Sequence, residues 1–278
     1  MPAPTPEQPQ QPRAAADAPA SRASTSRYGE LRWWKEGLLI LGFYLIYGWI
    51  RNQFGSAAVH PSDAFRNAEY IIDLEASMGL DVEESIQNWF LDWGWFLRLW
   101  NIFYGTFHFV VTAFALVYLY KRDPVAYPRW RTMGLATTGL GLVGFAAFPL
   151  MPPRLLGSCG KYGACIESAF VDTVEVHGGW WTFGSGTVEE LSNQYAAMPS
   201  LHFAWAFWSF LILAPRLVNR CSVTFMWAYP WLTLFAIVVT ANHYWIDAVG
   251  GALALIGGWY VAMFLHRPQL GEATLPTP

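Results

Sequence analysis

Two apolar segments joined by a short basic turn constrain this fold more than any other feature. Membrane helices are predicted over residues 198–214 and 222–240, because a span requires about 20 predominantly apolar residues. The turn between the segments is short, so the two helices are expected to form a hairpin. A chain that crosses a membrane and returns ends at the depth where it began. His202, at the start of the first helix, and His243, just after the second, are therefore expected to be neighbours.

The composition supports a membrane protein. Of the 278 residues, 54% are hydrophobic and 13% are charged, whereas soluble domains carry about 25% charged residues. Tryptophans cluster at the ends of apolar runs, as in Trp33-Trp34 and Trp180-Trp181, where membrane interfaces favour them. The net charge of −3 at pH 7 argues against a nucleic-acid partner. The predicted fold class is all-α, a polytopic membrane helix bundle.

The bundle is predicted to contain about six transmembrane helices, each an apolar run long enough to span the bilayer. They cover residues 33–50, 93–120, 132–150, 198–214, 222–240 and 243–265. Segment 62–92 is too charged to cross a bilayer, but its apolar residues recur at helical spacing. It is therefore predicted to form interfacial amphipathic helices, broken near Gly79. Glu75 and Glu83 are expected on the solvated faces of these helices.

Basic residues predict the orientation of the bundle. They lie in the loop 121–131, at Arg216 and Arg220, and near the two ends of the bundle. All of these fall on one side of a six-span arrangement, so both termini are expected to be cytoplasmic. The histidines then face the extracytoplasmic side, and the expected location is the plasma membrane of a bacterium.

The chain divides into one membrane-embedded domain and two tails. Residues 1–27 are rich in Pro, Ala, Gln and Ser and are predicted to form a disordered N-terminal tail, because such a segment cannot bury enough apolar surface to fold. Residues 28–267 are predicted to form the catalytic domain, and residues 268–278 the C-terminal tail. The oligomeric state is not predictable from the sequence.

The long loop at residues 151–197 contains Cys159 and Cys165. In an extracytoplasmic loop these two cysteines are candidates for a disulfide, because oxidising compartments allow thiols to pair. Two unpaired thiols are the alternative. A zinc site in this loop has less support, since only His177 lies nearby as a further ligand.

The residues around the hairpin have the chemistry of a phosphoryl-transfer site that needs no metal. His243 and Asp247 are spaced i and i+4 on one helix face, so the carboxylate can orient the imidazole. His202 follows Ser200 at a helix start, where free backbone N–H groups attract anions. Arg154, after a proline stop at the same membrane face, offers a planar fork for phosphate oxygens. One imidazole can attack phosphorus while the other protonates the leaving oxygen.

These motifs resemble those of a known family. Pro-Ser-Leu-His202 and His243-x-x-x-Asp247 resemble the second and third signature motifs of the type 2 phosphatidic acid phosphatase superfamily, over about residues 60 to 265. Asn101-x-x-Tyr104-x-x-x-His108 looks like its inositolphosphotransferase branch, which includes the fungal inositol phosphorylceramide synthases.

The resemblance implies an enzyme that acts on a lipid phosphate or phospholipid, with no metal ion or other cofactor. It makes His243 the nucleophile that becomes phosphorylated and His202 the general acid. Asp247 then orients the nucleophile, and Arg154 binds phosphate. The remaining substrate-binding candidates are Ser200, Asn101, Tyr104 and His108.

Two departures from the superfamily pattern concern phosphate binding. The first motif usually supplies a lysine and an arginine, whereas here only Arg154 lies near the prolines. The third motif usually has an arginine six residues before the nucleophile, and Ile237 occupies that position. The donor lipid, and the choice between water and an alcohol as acceptor, are not predictable from these residues.

Two other functions remain open from the sequence. His108, His202, His243 and Asp247 are a donor set that suits zinc in an intramembrane hydrolase, although His108 is predicted to lie deep along its helix. Histidines in a membrane bundle also serve as proton relays in transporters. No internal repeat or pair of broken helices in the sequence supports a transporter.

Overall fold

The computed structural model describes residues 31–54, 59–157, 168–179 and 194–267. The described residues are mainly helical and form no strand, so the predicted all-α class is confirmed. The helices are α1 Trp33–Phe54, α2 Pro61–Ser77, α3 Glu83–Phe90, α4 Gly94–Arg122, α5 Tyr127–Ala147, α6 Thr173–His177, α7 Leu201–Leu213, α8 Arg220–Val239 and α9 Trp245–Leu265. The tail predictions for residues 1–27 and 268–278 lie outside the described residues, as do Cys159 and Cys165 with their predicted disulfide.

Within these ranges, three helices are long and apolar enough to cross a membrane: α4, α8 and α9. The apolar helix α7 is shorter, with 13 residues. Helices α1 and α5 coincide with the other two predicted spans, but they do not reach the same combination of length and apolarity. The structure therefore supports a membrane protein, and the count of about six transmembrane helices stays a prediction.

Small residues on α9 allow it to lie close to its neighbours. A methyl group on Gly251 would collide with the backbone carbonyl of Ser200, and one on Gly258 would collide with Thr137 on α5. Close approach of helix backbones at small residues is typical of membrane bundles. It holds the beginning of α7 directly against the first turns of α9, which brings the two histidine-bearing segments together.

Segment 62–92 forms the two predicted amphipathic helices, α2 and α3, and the chain turns between them at Gly79 with a φ of +68°. One face of α2 is buried through Ala64, Ala68 and Ile71. Helix α2 thereby covers the end of the bundle at which α9 begins.

Glu75 and Glu83 do not occupy solvated faces. Their exposed fractions are 1% and 3%, so that prediction was wrong. Each carboxylate accepts a hydrogen bond from the backbone at the start of α9, at Ile246 and at Trp245 respectively. The helical spacing of α2 and α3 could not reveal these partners, which lie more than 160 residues away in the sequence.

The segment after α5 is held by backbone hydrogen bonds at the same end of the bundle. Leu150 donates its N–H to the carbonyl of Tyr195, and Met151 donates to Ala64. A 3₁₀ turn over Pro153–Leu155 follows, in which the N–H of Arg154 donates to Ala241 in the α8–α9 turn. The end of α5, the start of α7, the end of α8 and the start of α9 therefore meet at one end of the bundle.

Candidate active site

His202 and His243 face each other at this end of the bundle. His202 is the second residue of α7, and His243 lies in the turn between α8 and α9. Their ring centroids are 5.5 Å apart. The N–H groups of Asn242 and His243 both donate to the carbonyl of Ile237, which fixes the turn. The proximity predicted from the helical hairpin is what the structure shows.

The Nδ1 atom of His243 has two acceptors. It lies 2.8 Å from the carbonyl oxygen of Ala197 and 3.2 Å from Oδ2 of Asp247. A backbone carbonyl can only accept, so Nδ1 carries the proton and the neutral ring keeps its lone pair on Nε2. Oδ2 of Asp247 also accepts from the N–H of Tyr244 at 3.0 Å, and the Asp247 side chain is fully buried. The site therefore fixes both the position and the tautomer of His243.

The residue after His243 is also locked in place. The hydroxyl of Tyr244 donates to the carbonyl of Met151 at 3.2 Å. Burial, reinforced by the negative charge of Asp247, raises the pKa of Tyr244 well above its usual value. The phenol therefore remains a neutral hydrogen-bond donor at physiological pH.

His202 packs between two side chains of α4. Its ring stacks on Tyr104 with centroids 4.2 Å apart, and it meets the ring of His108 at 4.2 Å, nearly edge-on. Nδ1 of His108 donates to the carbonyl of Tyr104 at 2.8 Å. The ring of His202 is thus held on two sides, and His108 is not too deep to reach it, contrary to the depth expected from the sequence.

Arg154 is buried and paired. Its guanidinium donates to Oδ2 of Asp172 at 2.6 Å and lies 3.4 Å from the side-chain oxygen of Gln194. Asp172 also caps α6, because its other oxygen accepts from the N–H groups of Val174 and Glu175. The carboxylate thereby fixes Arg154 at the same cavity as His243.

Asp172 and Gln194 were missed by sequence reasoning. Both belong to the long loop at residues 151–197, which has no periodic pattern to place its side chains. The spacing of Asp172 and Glu175 does resemble a helix N-terminal capping box. That signal predicts a helix start at α6, but it does not predict the contact with Arg154.

Ser200 and Asn101 occupy scaffold positions rather than the cavity wall. Ser200 caps α7 through its hydroxyl, and its N–H donates to the carbonyl of Asp247 at 2.9 Å. The amide of Asn101 donates to the carbonyls of Thr173 and Gly178 and accepts from the Thr173 hydroxyl. The structure thus brings His202, His243, Asp247, Arg154, Tyr104 and His108 together and uses the other two candidates to hold α7 and α6.

A cavity of about 530 Å³ begins at these residues and continues into the bundle. Its polar end is formed by Arg154, Gln194, Asn242 and His243. The remaining wall is mainly apolar and comes from α1, α4, α5 and α7, including Ile40, Phe43, Phe109, Ala113, Leu116, Leu135 and Trp205. Cavities of this size bind organic ligands. The lining fits a molecule with a polar head and a long apolar part.

Metal binding has a limited basis in the described ranges. Within them, no group of three or more His, Cys, Asp or Glu side chains is placed to hold a metal ion. Nδ1 of His243 is already engaged by Ala197 and Asp247. His202 and His108 are in ring contact, but among the residues that the structure describes no third donor is placed to complete a metal site with them.

The fold and the site define a class: an α-helical membrane protein whose histidine pair, oriented carboxylate and paired arginine lie at the head of an apolar cavity. The chain belongs to the PAP2 superfamily, whose family model matches residues 69–261. The match begins within α2 and includes α3 and both histidines. Membership indicates a phosphatase or phosphotransferase type of lipid enzyme; it does not address the inositolphosphotransferase branch. No curated protein and no solved structure matches the chain.

Proposed function

We propose that this protein is a membrane lipid phosphatase or phosphotransferase that works through a phosphohistidine at His243. The observation that carries the proposal is the pair of acceptors on Nδ1, which leaves Nε2 of a buried histidine with its lone pair at the cavity. A nucleophile activated by an oriented neighbouring group is typical of covalent catalysis. His202, at a ring distance of 5.5 Å, is the proton donor and acceptor.

The reaction has two steps. In the first, the lone pair on Nε2 of His243 attacks phosphorus, the bond to the leaving oxygen breaks, and His202 protonates that oxygen. In the second, His202 takes the proton from water or an alcohol, which attacks phosphorus and breaks the N–P bond. Asp247 stabilises the positive charge on the phosphorylated imidazole. Arg154, fixed by Asp172, binds the phosphate oxygens.

The apolar cavity supports a lipid rather than a soluble phosphate ester. It is lined by α4 from Tyr104 to Leu116, which at 1.5 Å per residue is about 18 Å of helix. That length suits an acyl or polyprenyl chain lying along the helix with its phosphate at His243. Arg131 lines the far part of the cavity, where it pairs with Glu36 of α1.

The finer features of the proposal are the topology and the transferred group. Six transmembrane helices with both termini in the bacterial cytoplasm place the histidines at the extracytoplasmic face. Transfer of an inositol-phosphate-type headgroup rests on the resemblance of the α4 motif to the inositolphosphotransferase branch. Tyr104 and His108 of that motif lie against His202, where they help to hold the proton-transferring ring.

The test uses purified protein in detergent with a panel of phospholipids and polyprenyl phosphates. Released phosphate and transferred headgroup are both measured, with vanadate in one arm and a zinc chelator in the other. Turnover that vanadate blocks and the chelator spares supports the proposal, and the product separates a phosphatase from a transferase. Loss of turnover only with the chelator favours a zinc hydrolase instead. No turnover on any lipid contradicts an enzyme and favours a transporter.

A phosphoenzyme experiment addresses the nucleophile directly. Rapid quenching with a substrate labelled on phosphorus is expected to leave label on the peptide that contains His243. Replacing His243 with Ala removes the label and the turnover. The matched control is His60→Ala, because His60 is exposed, directly precedes α2 and lies outside the cavity. Full turnover in the His243 variant overturns the assignment.

A further inference from the structure

Two buried carboxyl groups meet at the first turn of α9. Oε1 of Glu83 accepts from the N–H of Trp245 at 3.0 Å, and Oε1 of Glu75 accepts from the N–H of Ile246 at 3.3 Å. Trp245 and Ile246 are the first two residues of α9, and they lie between His243 and Asp247 in the sequence. Both carboxylates therefore hold the backbone that sets the distance within the His243–Asp247 pair.

The two carboxyl groups are also neighbours, since they accept from consecutive backbone N–H groups and the charge of Glu83 acts on Glu75. An ionised carboxylate can only accept a hydrogen bond, so a bond between two carboxyl groups requires a proton on one of them. A single remaining negative charge is favourable here, because the N-terminus of a helix attracts an anion. The geometry thus fits one proton and one charge shared by Glu75 and Glu83.

The surrounding groups favour retention of that proton. Burial, followed by the charge of Glu83, raises the pKa of Glu75 to about 9. The groups that face Glu75 from the packed elements are Glu83 on α3 and, from α9, Asp247 and the N–H of Ile246. The charges of both glutamates also raise the pKa of Tyr244, so its phenol is neutral. Of these groups, only the N–H of Ile246 favours the ionised form.

We propose that Glu75 and Glu83 form a one-proton clamp on the first turn of α9, which makes them positioning residues for His243 and Asp247. The connection between α2 and α3 adds to the clamp, because the carbonyl of Leu80 accepts from the indole N–H of Trp245 at 2.9 Å. The consequence for turnover rests on the proposed phosphohistidine chemistry. The consequence for the stability of the fold does not depend on that chemistry.

Loss of the proton disrupts the favourable interaction between the carboxyl groups of Glu75 and Glu83. Two adjacent buried carboxylates repel each other, and neither can donate to the other. The pKa of Glu75 in the folded protein lies above its ordinary value of 4.5, so its stabilising contribution is complete below pH 4.5 and is lost as the pH rises towards about 9. Thermal stability and turnover are therefore expected to fall together on the alkaline side.

The decisive variant is Glu75→Gln. Like a protonated carboxyl group, a glutamine amide can donate to Glu83 and accept from the N–H of Ile246, but it has no proton to lose in this range. Glu69→Gln is the matched control, because Glu69 is an exposed glutamate on the same helix. The melting temperature in detergent and the kcat on the lipid substrate are measured between pH 6 and pH 10 for both variants and for the unchanged protein.

The clamp predicts that Glu75→Gln keeps kcat at neutral pH within about twofold, since its hydrogen bonds are retained. It also predicts that the alkaline fall in melting temperature and in kcat is reduced in this variant and unchanged in Glu69→Gln. An alkaline fall in melting temperature that Glu75→Gln leaves intact overturns the clamp. A flattened melting profile with an unflattened kcat profile overturns the positioning role.

These outcomes are separable from the fate of the proposed function. The melting measurement needs no substrate, so it tests the clamp even if no lipid is turned over. If vanadate-sensitive turnover is present and Glu75→Gln changes neither profile, the clamp is wrong and the phosphohistidine chemistry stands.

Discussion

Replacing Asp247 with Asn is expected to slow catalysis without abolishing it. The carboxylate accepts from Nδ1 of His243 and from the N–H of Tyr244 through the same oxygen, Oδ2. An asparagine oxygen can take that place, so both hydrogen bonds persist but lose the negative charge. The carbonyl of Ala197 holds the Nδ1 proton independently at 2.8 Å. The tautomer of His243 is therefore retained in the variant.

The magnitude follows from the lost charge. A hydrogen bond to a charged group contributes about 1.5–3 kcal/mol, against about 1 kcal/mol for a neutral one. A difference of about 0.5–2 kcal/mol corresponds to about a 2- to 30-fold decrease in rate. The decrease is expected in kcat rather than KM, because the positive charge on the imidazole develops only as phosphorus is attacked. The amide nitrogen takes the place of Oδ1, which has no hydrogen-bond partner within the described part of the chain, so the melting temperature is expected to fall as well.

The assay is single-turnover formation of the labelled phosphoenzyme in Asp247→Asn, with His243→Ala as the inactive reference. A rate equal to that of the unchanged protein would show that the carboxylate does not act on the attacking ring. A loss as complete as in His243→Ala would show that the Ala197 carbonyl cannot hold the tautomer alone. Either result would refute the reasoning from the two acceptors.

Three further predictions concern the residues that surround this pair. Arg154→Lys keeps a positive charge but loses the planar guanidinium that Asp172 holds in place. In lipid turnover assays, KM is therefore expected to rise and kcat/KM to fall by about tenfold or more. An unchanged KM would contradict phosphate binding by Arg154. Gly251→Ala places a methyl group against the carbonyl of Ser200. Overpacking of this kind lowers the free energy of unfolding by about 1–3 kcal/mol, which a melting curve in detergent would report. An unchanged curve would contradict the close approach of α7 and α9. Asn101→Ala leaves the partners of its amide unpaired in a buried place, so the melting temperature is expected to fall while label still accumulates on His243; loss of the label in a folded variant would contradict a scaffold role.

The sequence predicts those parts of the site that depend on helix topology. The return of a helical hairpin to its starting depth places His202 beside His243, and the i, i+4 spacing places Asp247 on the same helical face. Tyr104 and His108 are spaced i and i+4 on α4, so they share one helical face, and both reach His202. These relations depend on helix geometry alone, which is why they can be derived from spacing.

Contacts made by irregular segments are not predictable in the same way. Asn101 lies three residues before Tyr104 on α4, but at its level the short helix α6 is inserted, and the side-chain amide bonds to that helix. Glu75 and Glu83 have the spacing of solvated residues, yet they bind backbone N–H groups at the start of α9. In both cases most of the partners are backbone groups, which carry no signal in the sequence.

The departure at Ile237 has a physical explanation in the packing. The superfamily's third motif usually has an arginine at this position, but here Ile237 is fully buried and packs with Phe203, Val238 and Ala248. Its carbonyl fixes the turn that carries His243. An arginine in that apolar cluster would have to be desolvated, which is unfavourable. At the polar end of the described cavity the cationic group is instead Arg154, which lies beside the neutral amides of Gln194 and Asn242. The proposed enzyme therefore stabilises phosphate charge with few cations, and the placement of Arg154 by Asp172 becomes correspondingly important to its catalysis.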